Sequence, residues 1–117
     1  MKKIYHLSSC TTCQRILKEL DPLANFELQD IKHQQITAPQ LDEMKDLAGS
    51  YEALFSRRAM LYKARKLNEK ALNEEDYKAL ILEHYTFLKR PVILNDGTIF
   101  IGNSKKVVGA AKEAILS

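Results

Sequence analysis

Tryptophan is absent from this sequence, and glycine (four), proline (three) and cysteine (two) are all scarce among its 117 residues. No apolar run approaches the ~18 residues of a membrane-spanning helix, so the sequence predicts no membrane segment. The first apolar run is broken at His6 and Ser8, well short of the ~7 to 15 residues of a signal-peptide core. With neither feature, we expect a cytosolic protein.

With 45% hydrophobic and 28% charged residues, the composition is that of a single globular domain covering residues 1–117. A chain of this size buries roughly two thirds of its unfolded surface, so it needs no disulfide staples and its cysteines are available for chemistry. The net charge of +3 is mild, and it predicts no nucleic-acid binding. One basic cluster favours either an anionic partner or a solvated helix face: Arg57, Arg58, Lys63, Arg65 and Lys66.

The first thirty residues are typical of a strand, a helix and a second strand. The stretch KKIYHL predicts a strand that ends at SSC, and apolar residues then recur at helical spacing from Thr12 until Asp21-Pro22. The stretch FELQDI alternates, which predicts a half-buried strand with Phe26 and Leu28 on its apolar face. The two cysteines therefore lie at the first strand-to-helix junction.

The middle of the chain, at about 37–86, is predicted to be a helical insert. Thr37 and Gln40 form a capping box that opens a helix, whose apolar stripe includes Leu47 and Ala48 and ends at Gly49. YEALF predicts a further helical turn, SRRA a connection and MLYKARKL a short helix. Asn73 then caps a longer helix with acidic residues in its first turn.

The last part of the chain is predicted to be a hairpin followed by a helix. In VILNDGTIFIG, two apolar runs are joined by Asp96-Gly97, a strong signal for a hairpin with a primed turn. Asn103 or Ser104 is then placed to cap the final helix.

The resulting order, β-α-β, helical insert, β-β-α, predicts an α/β protein with a small mixed sheet, which is the thioredoxin-like arrangement. Folds of this kind place their functional thiol at the end of the first strand, where Cys10 lies. They place a cis proline opposite that thiol, and Pro91 is at the matching position.

The cysteines, in the tetrapeptide CTTC, are spaced for thiol chemistry. The N-terminus of a helix stabilises an anion, so the pKa of Cys10 is expected below that of a free thiol, with Thr11 and Thr12 adding hydroxyl donors. Cys13 is one turn further along, where it can form a disulfide with Cys10. We therefore expect Cys10 to attack and the more buried Cys13 to resolve.

Two other interpretations of the pair stay open. A zinc site needs two more ligands, and although His6 and His33 are present, no second CxxC or HxxxH accompanies them. In the other interpretation, the two cysteines have no chemical role and the chain is a binding domain. We expect no metal, and we expect His6, inside a strand, to be packed rather than catalytic.

Two arginines are candidates for binding an anion beside the thiol. Arg90 immediately precedes Pro91, so if that proline faces Cys10, the guanidinium is held next to the sulfur. Arg58 is a candidate on the same grounds of charge, although a surface position explains it equally well.

Four stretches of the sequence resemble the ArsC/Spx family, the thioredoxin-fold arsenate reductases and their relatives: IYHLSSCTTC, SRRAMLYK, LKRPVI and IFIGNSKKVV. The resemblance spans essentially the whole chain. It implies that Cys10 is the reactive cysteine, which in reductase members attacks arsenate and is released by glutathione and glutaredoxin. It also implies that Arg90 is the arginine of the LKRP motif, and that the arginine of the insert is at or beside Arg58.

Two departures from the reductase pattern point towards the Spx and YffB-like branches. Gly102-Asn103 stands where arsenate reductases carry a further arginine, and Cys13 stands where they usually carry serine. Spx proteins use their CxxC as a disulfide switch and bind the RNA polymerase α subunit, although SYEALFSRR differs from the pattern expected at that contact.

We therefore expect an arsenate reductase-like thiol oxidoreductase acting on an oxyanion or a mixed disulfide. It is expected to hold no bound cofactor and to be reduced by glutathione, glutaredoxin or thioredoxin. The alternative is an Spx-type regulator.

Overall fold

The computed structural model describes residues 1–23 and 25–116. The chain divides into two compact units, one formed by Met1–Gln34 with Arg90–Ser117 and the other by Gln35–Lys89. The strands are β1 (Lys2–His6), β2 (Glu27–Asp30), β3 (Val92–Asn95) and β4 (Thr98–Ile101). The α-helices are α1 (Thr11–Leu20), α2 (Ala38–Ala48), α3 (Met60–Ala64), α4 (Glu74–Glu83) and α5 (Lys105–Leu116). Within the described ranges, no helix has the length and apolarity to cross a bilayer.

The first unit contains a four-stranded sheet in the order β2-β1-β3-β4. β1 pairs parallel with β2, across the connection made by α1, whereas β3 is antiparallel to both β1 and β4. This mixed sheet, with a β-α-β half and a β-β-α half, is the thioredoxin-like α/β fold that the order of elements predicts.

The core of this unit joins the sheet to α1 and α5. Its buried residues come from two strands and two helices: Ile4, Ile93, Ile16, Leu20, Val108 and Ala111. The helical spacing of apolar residues in α1 therefore predicted its inward face correctly.

The prediction for β2 is right in its location and only partly right in its burial, because Phe26 packs against the core but Leu28 is exposed. Leu28 is 48% exposed, whereas Gln29 is only 2% exposed. Leu28 is the register partner of Ile4 and therefore lies on the same face of the sheet. Because β2 is an edge strand, Leu28 lies at the margin of that face. The buried Gln29 side chain is satisfied by a 3.0 Å hydrogen bond from its Nε2 to the carbonyl oxygen of Gln34.

The hairpin and the last helix follow the sequence prediction closely. Asp96 (φ 47°) and Gly97 (φ 91°) both have positive φ, as a primed two-residue turn between β3 and β4 requires. Ser104 is the residue that caps α5, because its Oγ accepts a 3.2 Å hydrogen bond from the N–H of Val107.

The second unit begins with the predicted capping box. The N–H of Gln40 donates to Thr37 Oγ1 at 3.2 Å, and the N–H of Thr37 donates to Gln40 Oε1 at 3.0 Å. Asn73 caps α4 with the same reciprocal pair of bonds to Asp76. The apolar stripe of α2 is shorter than predicted, because Leu47 is 40% exposed.

The remainder of this unit is built around Phe55. Its ring contacts those of Tyr62, Tyr77 and Phe87 at centroid distances of 5.8, 4.9 and 5.4 Å. One 3-10 turn, Glu52–Leu54, comes directly before Phe55 in the sequence, and a second, Tyr85–Phe87, contains the last residue of the cluster.

The segment MLYKARKL contains the predicted short helix, α3, but this helix ends before the segment does. Lys66 has a left-handed backbone (φ 55°), which separates α3 from a 3-10 turn at Leu67–Glu69. An α-helix cannot continue through a residue with positive φ, so the short helix ends at Ala64.

Candidate active site

Cys10 is held by the turn that connects β1 to α1. Its N–H donates to the carbonyl oxygen of Leu7 at 3.0 Å, and its own carbonyl accepts from the N–H of Gln14 at 3.1 Å. With φ −94° and ψ 113°, it is the extended N-cap residue of α1. The thiol therefore lies at the positive end of the helix, as the sequence predicts.

The surroundings of Cys10 favour its thiolate. Partial burial is the largest influence and opposes ionisation, but it is outweighed by the N–H and thiol of Cys13, the N–H of Thr12 and the positive charge of Arg90. Together they lower the pKa of Cys10 below its usual 9.0. The sequence predicted this direction.

Cys13 has the opposite character. Its side chain is completely buried in the first turn of α1, and both cysteines are free thiols. Burial above all, opposed by the N–H of Leu7 and reinforced by the neighbouring Cys10, raises its pKa to about 11. At neutral pH, Cys13 is therefore a protonated donor beside a sulfur that ionises more easily.

Arg90 and Pro91 lie at the same end of the sheet as Cys10. The register pairs Tyr5 with Val92, so Pro91 lies alongside the end of β1, from which the chain continues to Cys10. The Arg90–Pro91 peptide is cis, as predicted from the fold. The guanidinium of Arg90 contributes a favourable charge to the thiolates of both cysteines.

The remaining predicted site residues differ in their placement. Thr11 is exposed at the first position of α1, and the backbone N–H of Thr12, rather than its hydroxyl, acts on Cys10. Arg58 is exposed in the second unit, between a 3-10 turn and α3. Its neighbour Arg57 is engaged inside that unit, where one guanidinium nitrogen lies 2.6 Å from Glu52 Oε2 and 3.0 Å from the Tyr77 hydroxyl.

Asp30 supports the turn before Cys10, a role that the sequence analysis did not predict. Its Oδ1 accepts from the N–H groups of Ser8 and Lys32 at 3.3 and 3.2 Å, and its Oδ2 lies 2.6 Å from Nδ1 of His33. It thereby ties the end of β2 to the turn that carries Cys10. An aspartate that ends a strand and bonds the N–H two residues on is an Asx turn, a signal that the sequence did contain.

Gly102, in the Gly102-Asn103 pair where the resemblance implies an arginine in reductases, has a structural role. Its φ of 92° lies in the left-handed region that glycine adopts most easily, and its N–H donates to the carbonyl oxygen of Pro91 at 3.0 Å. The residue that departs from the pattern therefore supports the backbone of the cis proline.

His6 and His33, the two histidines considered as metal ligands, have different surroundings. His6 ends β1, and its Nδ1 is buried without a hydrogen-bond partner among the described residues, whereas His33 pairs with Asp30. Across residues 1–23 and 25–116, no three His, Cys, Asp or Glu side chains are grouped so as to hold a metal ion.

The fold and the site define a thioredoxin-like protein with two thiols at the N-terminus of its first helix. The chain belongs to the ArsC family, whose profile matches residues 5–111. This assignment confirms the resemblance that the four sequence stretches indicate.

Individual proteins resemble the chain over almost its full length. An uncharacterized protein of Haemophilus influenzae is 29% identical over 115 residues, which cover 95% of this chain and 98% of that protein. The structure of a protein designated YffB has a TM-score of 0.79 at 22% identity and covers 95% of this chain and 98% of its own. The arsenate reductase from Vibrio cholerae has a TM-score of 0.75 at 19% identity, with 98% and 94% covered. At these identities, the two structures establish the fold.

Proposed function

We propose that this protein is an arsenate reductase-like thiol oxidoreductase in which Cys10 attacks the substrate and Cys13 resolves the product. The observation that carries the proposal is the opposite perturbation of two adjacent thiols. Cys10 has a lowered pKa and is partly exposed, whereas Cys13 is buried with a pKa of about 11. A nucleophile needs a thiolate at working pH, and a resolving cysteine needs to stay protonated until the mixed disulfide has formed.

With a disulfide substrate, the Cys10 thiolate forms a bond to one sulfur, and the other sulfur leaves as a thiolate that takes a proton. Cys13 then loses its proton and attacks the Cys10 sulfur, which forms the Cys10–Cys13 disulfide and releases the second half of the substrate as a thiol. Two electrons pass from the cysteine pair to the substrate. A peptide thiol such as glutathione, or a dithiol protein of the glutaredoxin or thioredoxin type, restores the pair.

Arsenate fits the same sequence of steps. Cys10 displaces one arsenate oxygen as water, and the attack of Cys13 on the Cys10 sulfur releases the arsenic as arsenite, which has gained two electrons.

Support for arsenate as a substrate comes from membership of the ArsC family and from the fold shared with the Vibrio cholerae arsenate reductase. We propose Arg90 as the cation that holds the oxyanion. The proposed setting is the cytosol, where these reductants keep thiols reduced.

The test is an assay of purified protein with glutathione, glutathione reductase and NADPH, offered arsenate or a glutathione mixed disulfide. The proposal expects turnover of at least one substrate, and it expects Cys10→Ser to abolish that turnover. Cys13→Ser is expected to trap the adduct on Cys10, seen by mass spectrometry as one added glutathione. Ser9→Ala, which alters an exposed neighbour in the same turn, is the control and keeps full activity. Turnover that survives Cys10→Ser would overturn the proposal.

An Spx-type redox-regulated binder of the RNA polymerase α subunit is the second candidate. The contact between Cys10 and the buried Cys13 favours it, because a disulfide between them would change the first turn of α1. A pull-down against purified RNA polymerase α, with and without oxidant, tests it. Absence of binding in both redox states would exclude this candidate.

A further inference from the structure

Side chains from two different elements hold the backbone of Ser8, in the turn that leads to the reactive cysteine. The turn is closed by the 3.0 Å hydrogen bond from the N–H of Cys10 to the carbonyl oxygen of Leu7. Within it, the N–H of Ser8 donates to Asp30 Oδ1 at 3.3 Å, and the carbonyl oxygen of Ser8 accepts from Gln14 Nε2 at 3.2 Å. Both backbone polar groups of Ser8 are therefore bonded to side chains, one at the end of β2 and one in α1.

Gln14 contacts this part of the chain at two points. Its backbone N–H donates to the carbonyl oxygen of Cys10 at 3.1 Å, and its side-chain amide donates to Ser8, two residues earlier. The first bond is made by the main chain, so any residue with an N–H can form it, whereas the second needs a long side chain that carries a donor. The identity of residue 14 therefore acts on the turn rather than on the helix.

The carboxylate of Asp30 holds the turn from the opposite direction. Besides its bond to the turn, it accepts from the N–H of Lys32 at 3.2 Å and lies 2.6 Å from Nδ1 of His33. The N–H of Ile31 also donates to the carbonyl oxygen of His6 at 2.9 Å, which joins the ends of β2 and β1 beside the turn. These bonds fix the orientation of the carboxylate, so it can fix the backbone that it bonds.

We propose that Gln14 and Asp30 are positioning residues for the thiolate of Cys10, which they hold at the N-terminus of α1 by fixing the Ser8 backbone from both sides. N–H groups in the first turn of α1 stabilise that thiolate. Because hydrogen bonds weaken with distance and angle, they do so only while the turn keeps Cys10 in its extended N-cap conformation. This role rests on the proposed oxidoreductase function and adds two residues that act through the turn.

The charge of Asp30 and its positioning role predict opposite results. A carboxylate near a thiolate disfavours it, so loss of the charge alone lowers the pKa of Cys10. Loss of the position raises this pKa instead, because the thiolate then loses hydrogen bonds. Asp30→Asn removes the charge but keeps an oxygen that can accept from Ser8, whereas Asp30→Ala removes both.

The test measures the pH midpoint of Cys10 alkylation by iodoacetamide, in protein shown to be folded by circular dichroism. In Gln14→Met, the midpoint is expected to rise by about half a unit, which slows alkylation at pH 7 about threefold. In Asp30→Ala, the midpoint is also expected to rise, against the effect of the lost charge. In Asp30→Asn, it is expected to equal the wild-type value or to fall below it.

Lys18→Met is the matched control for Gln14→Met. It places the same new side chain one turn further along the same face of α1, at an exposed position, and is expected to leave the midpoint unchanged. The titrations are run at about 0.15 M salt, where the Debye length is about 8 Å, so the lost charge of Lys18 has little effect on the sulfur.

The double variant Gln14→Met/Asp30→Ala tests whether the two side chains act together. Its midpoint is expected to exceed the larger single shift only slightly, because both substitutions release the same Ser8 backbone. Shifts that add in full, an unchanged midpoint in Gln14→Met, or a lowered one in Asp30→Ala overturn the proposal. Where Asp30→Ala does not fold, Gln14→Met, at a partly exposed helix position, decides the test.

Alkylation needs no substrate of the enzyme, so this test is separate from the turnover assay. Absence of turnover in the wild type overturns the proposed function, while the midpoints still decide whether Gln14 and Asp30 position the thiolate.

Discussion

The thiol of Cys13 lies against the sulfur of Cys10, and this contact lowers the pKa of Cys10 and adds to the effect of burial in raising that of Cys13. The donor stabilises the Cys10 thiolate, and the same thiolate makes loss of the Cys13 proton more costly. The two residues are only one helical turn apart, yet one is partly exposed and the other is fully buried. The difference between their pKa values therefore follows from their positions in α1 rather than from their residue type.

The first prediction concerns the ionisation of the two thiols. The rate of alkylation by iodoacetamide is expected to rise with pH at a midpoint below 9.0, because Cys10 ionises there while Cys13 stays protonated to about 11. Cys13→Ala is expected to move this midpoint upward, since it removes the thiol donor. Cys10→Ala is the control and abolishes the low midpoint. A wild-type midpoint at or above 9.0 contradicts the prediction.

The second prediction concerns Arg90, whose charge favours the Cys10 thiolate. Arg90→Gln is expected to raise the pKa of Cys10 and to slow alkylation at pH 7 about two- to fivefold, because less thiolate is present. Lys89→Gln removes a charge from the preceding residue and is expected to have a smaller effect. Equal effects of the two substitutions would show that general positive charge, rather than the position of Arg90, acts on the sulfur.

The third prediction is a pH dependence of stability at Asp30. Its hydrogen bond with Ser8, followed by those with His33 and Lys32, outweighs burial and holds the pKa of this carboxyl below its usual 3.8. A lowered carboxyl pKa stabilises the fold at any pH above the usual value, and the stabilisation is lost as pH falls through the folded-state pKa.

Asp30→Asn is therefore expected to lower the free energy of unfolding at pH 7, measured by urea denaturation. The difference from wild type is expected to be full down to about pH 4 and to shrink as the pH is lowered from there towards about 2. Asp46→Asn alters an exposed aspartate on α2 and is the control. A difference that stays constant across this pH range contradicts the assignment to the Asp30 carboxylate.

The fourth prediction concerns the cap of α2. Thr37→Ala removes the side chain that accepts the N–H of Gln40, so the free energy of unfolding is expected to fall by about 1 kcal/mol. Thr37→Ser keeps the acceptor and is expected to restore most of this loss. A similar loss in both variants would point to the threonine methyl group rather than to the cap.

Local patterns in the sequence decided a large part of this structure. The capping boxes at Thr37 and Asn73 and the primed turn at Asp96-Gly97 depend on hydrogen bonds and dihedral angles within a few residues. Such features can therefore be predicted from the sequence without a tertiary structure. The same holds for the inward face of α1 and for Cys10 at its N-terminus, because helical spacing and a strand end fix both.

Other features depend on what lies across the sheet or across a turn. Leu28 is exposed and Gln29 is buried because β2 lies at the sheet edge, a fact set by strand order and not by alternation. The role of Asp30 depends on the Ser8 turn, which is 22 residues distant in the sequence. The sequence by itself determined the pair of thiols, their spacing and the elements that carry them. Only the tertiary structure decided that Gln29 is buried and that Asp30 holds the turn before Cys10, because strand order and contacts between residues far apart in the chain set both.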